Sequence, residues 1–315
     1  MRRFRGVLIP IGGGLAGLAL LGLGLAVLGY DAGAALGALW RGAFGSWYAI
    51  TSATMVRAVP LIVIGLGLAI SFRAGALNIG AEGQFAVGAM AATATGLAVG
   101  SWPAPIGLIA TLGAGIVGGA TWIFLPVVLR FRFGVLEVIS TLLLNFVAEA
   151  LVSYAVQGPL QEAKGTYPQS DQLGVLVRLA LVPGTRLHAG FFVALVLALV
   201  LGVGFRRSRW GFRLRAVGQA PKAAAVAGAI RVERTVAVAL LCSGALAGLA
   251  GAFEISGVTY ALYQNLSPGY GFTAIAVALI ARTDPLGVVV AGLAFGALEA
   301  GAAGMQRDAD RKSVV

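Results

Sequence analysis

Long runs of apolar residues recur along the whole chain, and most polar residues lie in the segments between them. A transmembrane helix needs about 20 mostly apolar residues, so runs of this kind predict membrane spans. The candidate spans are residues 7–29, 56–72, 79–99, 105–129, 138–156, 189–205, 235–253, 269–281 and 286–304. We therefore expect an all-α fold: a polytopic helical membrane protein with about nine spans, in which residues 1–315 form a single transmembrane domain.

The composition supports a membrane protein. Of the 315 residues, 59% are hydrophobic and 11% are charged, whereas a soluble domain carries about 25% charged residues. The 47 glycines fit the same reading, because small residues let transmembrane helices approach one another closely.

The basic residues predict the orientation in the membrane. Residues 206–234 hold eight of the 23 Lys and Arg residues and one carboxylate, and basic loops stay on the cytoplasmic side. With the N-terminus inside, the cytoplasmic segments hold 15 of the 23 basic residues. The net charge of +11 therefore does not imply nucleic-acid binding, since positive-inside bias and attraction to anionic membrane lipid explain it. The chain is expected in the cytoplasmic membrane as a multi-pass protein.

The basic loop 206–234 also contains an Ala-rich stretch from Pro221 to Gly228. Alanine has the highest helix propensity, so we expect a short helix there. A helix that a membrane protein presents to the cytoplasm indicates docking to a cytoplasmic partner.

The segment 72–84 is glycine-rich and lies between two predicted spans. Asn78 is a good N-cap for the following helix, and Glu82 falls in the first turn of that helix. Irregular backbone at membrane depth survives only beside protein or water, so Asn78, Glu82 and Gln84 are candidates for the substrate pathway. Plain helix capping at the membrane edge is the equal alternative.

A polar ridge runs along the predicted span 138–156. Six polar residues recur at a spacing of four: Glu137, Thr141, Asn145, Glu149, Ser153 and Gln157. On a helix this spacing forms one slanted ridge. Polar groups in a membrane face a bundle interior or a water-filled cavity, so Thr141, Asn145 and Glu149 are predicted to line the pathway. The alternative is an interhelical hydrogen-bond seam without substrate contact.

Small residues at positions 244, 248 and 252 form one helix face. This pattern is typical of close helix packing, and we interpret it as structural. Glu254, directly after it, borders an external vestibule or lies among the lipid headgroups.

Enzymatic chemistry finds no support in the sequence. His188 is the one histidine and Cys242 the one cysteine, so a histidine metal site and an intramolecular disulfide are excluded. None of the three lysines lies in a GxxxxGK[ST] phosphate loop. We expect a transport subunit without cofactor or metal, and any ATP hydrolysis on a separate subunit.

Several segments together resemble the permeases of nucleoside and simple-sugar ABC transporters, within the superfamily of branched-chain amino acid and ribose permeases. They occur in the family's order: FRAGALNIGAEGQ (72–84), GVLEVISTLLLN (134–145), LRAVGQAPKAA (214–224), SGALAGLAG (243–251), GYGFTAIAVAL (269–279) and MQRD (305–308). The match runs from about residue 55 to 308.

The resemblance implies a half-channel permease that imports a nucleoside or simple sugar. It also implies a second homologous permease subunit, cytoplasmic ATP-binding subunits and an extracytoplasmic solute-binding protein. The ATPase-coupling residues implied are Arg215, Gly218, Pro221, Ala223, Ala224 and Gly228. Lys222 stands where the general coupling pattern has Glu, so the ion pair expected of that Glu is not assumed.

The C-terminal segment departs from the family. Relatives continue past residue 308 into a further hydrophobic span, so the resemblance implies that the final span is missing. An odd number of spans also leaves the charged tail 305–315 outside. Either one span is miscounted, or the chain lacks a final helix.

Three other functions are open. A self-sufficient channel or secondary transporter explains the spans and the polar ridge equally well, but not a coupling loop. A branched-chain amino acid ABC permease belongs to the same superfamily. A membrane-embedded enzyme is the weakest reading, since no catalytic constellation is present.

Overall fold

The computed structural model describes residues 2–226 and 230–313 and is helical almost throughout. Its α-helices are α1 (Arg2–Val27), α2 (Ala32–Phe44), α3 (Met55–Arg73), α4 (Ala81–Ala98), α5 (Ala104–Phe133), α6 (Glu137–Gln157), α7 (Gly190–Arg207), α8 (Arg209–Gln219), α9 (Pro221–Val226), α10 (Val232–Glu254), α11 (Tyr270–Ile280) and α12 (Pro285–Ser313). A π-helical turn, Ala49–Thr54, leads into α3, and another, Ile255–Thr259, extends α10. The expected all-α class is confirmed.

The expected count of nine spans is not confirmed. Among the described residues, 6 helical segments are long and apolar enough to cross a membrane: Ala49–Arg73, Ala104–Phe133, Glu137–Gln157, Gly190–Arg207, Val232–Thr259 and Pro285–Asp308. The predicted span 269–281 forms the short helix Tyr270–Ile280, which at about 1.5 Å per residue reaches only part of the way across a bilayer. The predicted span 79–99 forms α4, which is not among these six segments because Glu82 and Gln84 lower its hydropathy.

The chain divides into two compact units, Ala58–Phe295 and the combination of Met1–Arg57 with Gly296–Val315. In the smaller unit, Gly42 of α2 packs directly on the backbone of α12 at Ala300 and Gly304. Arg41 and Asp308 form an ion pair of 3.1 Å. The charged residues from 305 to 313 therefore continue α12 as helix.

The centre of the larger unit is the packing of α4, α5 and α10 through glycines. A Cβ on Gly248 would stand 2.1 Å from the carbonyl oxygen of Gly115, and one on Gly88 would stand 2.3 Å from the Cα of Gly248. Gly119 and Gly244 meet in the same way. Backbones can approach this closely only where no side chain intervenes, which confirms the predicted small-residue packing face.

The basic loop is more helical than expected. After α7 the chain forms α8, whose N-cap Ser208 accepts a hydrogen bond from the backbone N–H of Gly211. The predicted short helix is present as α9, and its expected last residue, Gly228, lies outside the described residues. Leu214 and Val217 bury the inner face of α8.

The predicted external stretch 157–188 has an irregular backbone and runs alongside the segment that comes after α10. Its backbone N–H groups at Ser170, Leu173 and Leu179 donate to the carbonyls of Leu262, Tyr260 and Ser256. These bonds satisfy the backbone of a long loop and hold it over the segment 256–262.

Candidate functional site

The backbone between α3 and α4 is irregular and buried, as the glycine pattern predicts. Gly75 has a φ of +74°, a conformation that glycine adopts without strain. One prediction here is wrong: the N-cap of α4 is Gly80, not Asn78. The side chain of Asn78 instead accepts a hydrogen bond of 3.0 Å from the Gly80 N–H, because an Asn side chain readily bonds the backbone two residues on.

Asn78 is the centre of a buried amide pair. Its side-chain nitrogen donates to Gln84 Oε1 at 2.8 Å and to Ser243 Oγ at 2.9 Å, and Gln84 Nε2 donates back to Asn78 Oδ1 at 2.9 Å. All three residues are at most 1% exposed. Asn78 and Gln84 therefore join the irregular segment to α10, and their polar atoms already have protein partners.

The middle of the polar ridge joins α6 to the beginning of α4. Asn145 donates from Nδ2 to the Ile79 carbonyl at 3.0 Å and accepts at Oδ1 from the Gly83 N–H at 2.9 Å. Thr141 Oγ1 accepts from the Ile79 N–H at 3.3 Å and donates to the Glu137 carbonyl at 2.6 Å. Thr141 and Asn145 thus form the interhelical seam that was one of the two alternatives.

The outer part of the ridge lines a cavity of about 370 Å³. Glu149 and Ser153 of α6 meet Glu82 of α4 there, together with Gln264 and Ser267 from the segment before α11. Ser153 Oγ accepts hydrogen bonds from Gln264 Nε2 at 2.5 Å and from Gln157 Nε2 at 2.8 Å. The cavity holds carboxylate, hydroxyl and amide groups within reach of one solute.

Two aromatic rings complete the cavity wall, Phe85 and Phe146. Phe85 is buried and meets Tyr270 edge-on, with ring centroids 5.9 Å apart. Phe146 keeps 63% of its surface exposed, and Glu149 beside it is also exposed. A carboxylate in the middle of an apolar span has to face protein or water, so this side of α6 is open to a partner or to the solute path.

Glu82 is held in place by the beginning of α11. Its Oε2 accepts a hydrogen bond of 2.6 Å from the Gly271 N–H, and the hydroxyl of Ser267 faces the same carboxylate. A Cβ on Gly271 would stand 2.3 Å from the backbone nitrogen of Glu82. The N-terminus of α11 is a favourable place for a negative charge, so it orients Glu82 at the cavity.

The inner end of the ridge is occupied by an ion pair. Glu137 Oε1 lies 2.6 Å from Arg130 Nη1 at the end of α5. This pair places Glu137 beside the basic last turn of α5 and away from the cavity.

The predicted coupling residues lie together on the α8–α9 segment. Arg215 Nη1 donates to the Phe205 carbonyl at 2.9 Å, which ties α8 to the end of α7. Gly218 contacts the end of α3, since a Cβ there would stand 2.1 Å from the Arg73 carbonyl oxygen. Ala224 is buried, whereas Pro221 and Ala223 are exposed.

The same segment carries an apolar groove of about 470 Å³ next to those residues. Ala220, Ala223 and Ala224 line it together with Phe212, which is 59% exposed. Gly228, the remaining predicted coupling residue, lies outside the described residues. An exposed aromatic beside small residues is typical of a protein-contact surface.

Sequence reasoning missed Ser243, Gln264, Ser267 and Gly271 as members of the site. Gly271 was quoted only within the motif GYGFTAIAVAL, and Ser243 only as the start of the small-residue face. No periodicity indicates Gln264 or Ser267, because both lie in irregular backbone between helices.

Known proteins resemble most of this chain. A family model described as the permease component of the branched-chain amino acid transport system matches residues 50–315. The glucose ABC transporter permease protein of Haloferax volcanii is 38% identical over 303 residues, covering 93% of this chain and 79% of that protein. The guanosine ABC transporter permease protein NupP of Bacillus subtilis is 37% identical over 309 residues, covering 97% and 88%.

A second guanosine permease protein of Bacillus subtilis, NupQ, is 27% identical over 254 residues, covering 78% of this chain and 79% of that protein. Two different permease proteins of one organism, named for the same solute, thus both resemble this chain. No solved structure matches it.

Proposed function

We propose that this chain, which belongs to the family of branched-chain amino acid transport system permease components, works as one half of an ABC importer. The proposed solute is a nucleoside or a simple sugar. The observation that carries the proposal is the cavity between α4, α6 and the segment 262–267 before α11. One carboxylate from α4 and one from α6 line it. Two permeases that it resembles are named for glucose and for guanosine.

The chemistry of the cavity favours a neutral, hydroxyl-rich solute. Glu82 and Glu149 offer acceptors for solute hydroxyls, and Gln264 offers both a donor and an acceptor. The exposed ring of Phe146 provides an apolar face for a base or a sugar ring. None of the described lining residues is Lys or Arg, so a branched-chain amino acid would find no cation for its carboxylate.

The open side of α6 supports a second permease subunit as partner. Leu142, Leu143 and Phe146 expose a continuous apolar strip beside Glu149. A homologous subunit facing this strip would enclose the Glu149 carboxylate in a path shared by the two subunits. In an isolated chain that carboxylate would face lipid. The paired guanosine permeases of Bacillus subtilis support the same arrangement.

The α8–α9 groove is the proposed docking site of a cytoplasmic ATP-binding subunit, and an extracytoplasmic protein would deliver the solute. Movement of α8 reaches the cavity through a short series of contacts. Gly218 touches the turn at Gly75, the chain continues to Asn78, and the amide pair with Gln84 joins that turn to α4, which carries Glu82. Binding of ATP by the partner would thus shift α4 against α6 and alternate access to the cavity.

The function is tested by purifying the tagged chain with its associated subunits from its native membrane and measuring ATPase stimulation in liposomes. We expect guanosine or glucose, with the solute-binding protein, to stimulate hydrolysis, and leucine to have no effect. Stimulation by leucine alone would contradict the proposed solute class. Transport by the chain alone, without an ATPase, would show a self-sufficient carrier.

The contact between α8 and α3 is tested by Gly218→Ala, with Gly204→Ala in α7 as matched control. A Cβ on Gly218 overlaps the Arg73 carbonyl, whereas one on Gly204 meets nothing within 4 Å. We expect Gly218→Ala to lower solute uptake per ATP hydrolysed while the complex stays assembled. Unchanged coupling in an assembled Gly218→Ala complex would exclude this route.

A further inference from the structure

A groove of about 350 Å³ lies where α8 meets the first turns of α10. Its lining residues are Trp210, Arg213, Arg231, Arg234, Thr235 and Val238. The groove shares no lining residue with the solute cavity, and it adjoins the α8–α9 groove, with which it shares Arg213. It brings three guanidinium groups to the side of one indole ring.

One face of α8 supplies half of the groove. Trp210 and Arg213 are three residues apart and therefore share a helix face. Leu214, four residues after Trp210, is buried on the same side of the helix, and Trp210 packs against the same apolar cluster, which fixes how α8 is rotated. The Trp210 ring packs on the Phe205 ring with centroids 5.7 Å apart, so the indole has a fixed position in the groove wall.

One face of α10 supplies the other half. Arg231, Arg234, Thr235 and Val238 follow the spacing of a single helix face. Arg231 is the N-cap of α10, and the hydroxyl of Thr235 donates to its carbonyl at 3.0 Å. This bond joins the Thr235 hydroxyl to the backbone of Arg231 and does not engage the arginine side chains.

The three arginines have no anionic partner in the described part of the chain. Two other arginines at helix ends do have such partners: Arg130 lies 2.6 Å from Glu137, and Arg206 lies 3.2 Å from Asp284. No such pair involves the arginines of the groove within the described residues, and Glu233 is not among the lining residues. Three like charges around one groove repel each other, so a bound anion would stabilise them.

The depth of the groove in the membrane restricts the kind of anion. The apolar segment Val232–Thr259 begins at these arginines, which the positive-inside rule places at the cytoplasmic headgroups. Val238 lies about two turns further into the span and is 38% exposed. The groove therefore combines a cationic upper part with an apolar lower part, and Trp210 lies at the level where indoles favour the interface.

We propose that this groove binds an anionic phospholipid of the cytoplasmic leaflet, with its phosphate on Arg213, Arg231 and Arg234 and the beginning of an acyl chain against Val238. A guanidinium donates two parallel hydrogen bonds to a phosphate. A free phosphate would use the arginines but not the apolar wall, so the geometry favours the lipid. This site is independent of which solute the transporter carries.

The test is native mass spectrometry of the whole detergent-purified transporter, titrated with phosphatidylglycerol or with phosphatidylcholine. The test variant replaces Arg213, Arg231 and Arg234 by Gln. The matched control replaces Arg132, Arg207 and Arg282 by Gln, which removes the same charge from exposed positions at the ends of other helices. We expect phosphatidylglycerol binding to weaken on the order of ten-fold in the test variant relative to the control.

Equal weakening in both triple variants would overturn the proposal, because it would show only a general effect of charge. Undiminished phosphatidylglycerol binding in the test variant would overturn it as well. A third arm adds millimolar inorganic phosphate to the wild-type transporter. If phosphate displaced the lipid as completely as phosphatidylglycerol itself, the groove would be a site for soluble anions. The added substitution Val238→Asn, which makes the apolar wall polar without adding charge, should weaken lipid binding without weakening phosphate binding.

Discussion

The glycine contacts among α4, α5 and α10 lead to a prediction that two positions on one helix can test. Gly113 and Gly119 both lie in α5. A Cβ on Gly119 would stand 2.2 Å from the Gly244 carbonyl oxygen and 2.7 Å from the Gly248 nitrogen, whereas one on Gly113 would meet nothing within 4 Å. Gly113→Ala and Gly119→Ala therefore make the same chemical change on the same helix, and the two variants differ only in what surrounds the added methyl group.

The magnitude follows from the distances. Relief of the overlap at position 119 requires α5 and α10 to separate by about 1 Å, since non-bonded atoms prefer about 3.5–4.0 Å. Overpacking of this kind costs about 1–3 kcal/mol. The gain of about 1 kcal/mol from replacing a helical glycine by Ala applies to both variants. Gly113→Ala should thus match or exceed the wild type in stability, and Gly119→Ala should be less stable than Gly113→Ala by about 1–3 kcal/mol.

The assay is the thermal stability of the tagged, detergent-solubilised chain, followed by loss of the monodisperse peak in fluorescence size-exclusion chromatography. A difference of about 1–3 kcal/mol corresponds to several degrees in the midpoint temperature. Equal midpoints for Gly119→Ala and Gly113→Ala would refute the argument, because the helices would then tolerate a methyl group between their backbones. Gly202→Ala in α7, where a Cβ also meets nothing within 4 Å, repeats the control on another span.

Three further predictions concern individual polar residues. Asn145→Ala removes the hydrogen bonds to Ile79 and Gly83 and should destabilise the chain by about 1–3 kcal/mol, measured as a fall in the same midpoint temperature. Asn145→Asp keeps the acceptor for the Gly83 N–H, so a smaller fall in this variant would show that the bond to Gly83 dominates. Glu149→Gln should raise the KM for solute uptake with little change in thermal stability, because Glu149 lines the cavity and is exposed, and an unchanged KM would remove it from the path. Burial lowers the pKa of His188, in the predicted external stretch 157–188, to about 4, below its ordinary value of about 6.5. Stability should therefore be constant above pH 6.5 and decline as the pH falls towards 4. A midpoint that declines equally in His188→Asn would assign the effect to other groups.

The sequence alone predicted the helices well wherever the apolar pattern was long. The polar ridge lies on α6, Glu137–Gln157, with the predicted bounds, because a spacing of four has one meaning on a helix. The face of Gly244, Gly248 and Ala252 packs as expected, since only small residues permit that approach. The apolar pattern did not distinguish the less apolar helix α4 and the short helix α11 from full membrane spans.

The site was predicted less completely, because long-range contacts decide it. Asn78 was expected to cap α4, yet its partners are Gln84 and Ser243, and the second of these lies on a helix far away in the sequence. Thr141 and Asn145 were expected on the solute path, and the structure places their polar atoms on the backbone of Ile79 and Gly83. Their place in the pathway stays a prediction.

The sequence by itself determined that this chain is a helical membrane protein and which helix faces are polar or small. These properties follow from the period of the helix and from the cost of placing polar groups in lipid. Only the tertiary structure decided which polar groups satisfy one another and which remain available. Glu82 and Glu149 differ from Asn78 and Asn145 in their neighbours, and α11 and the loop before it bring those neighbours to the cavity.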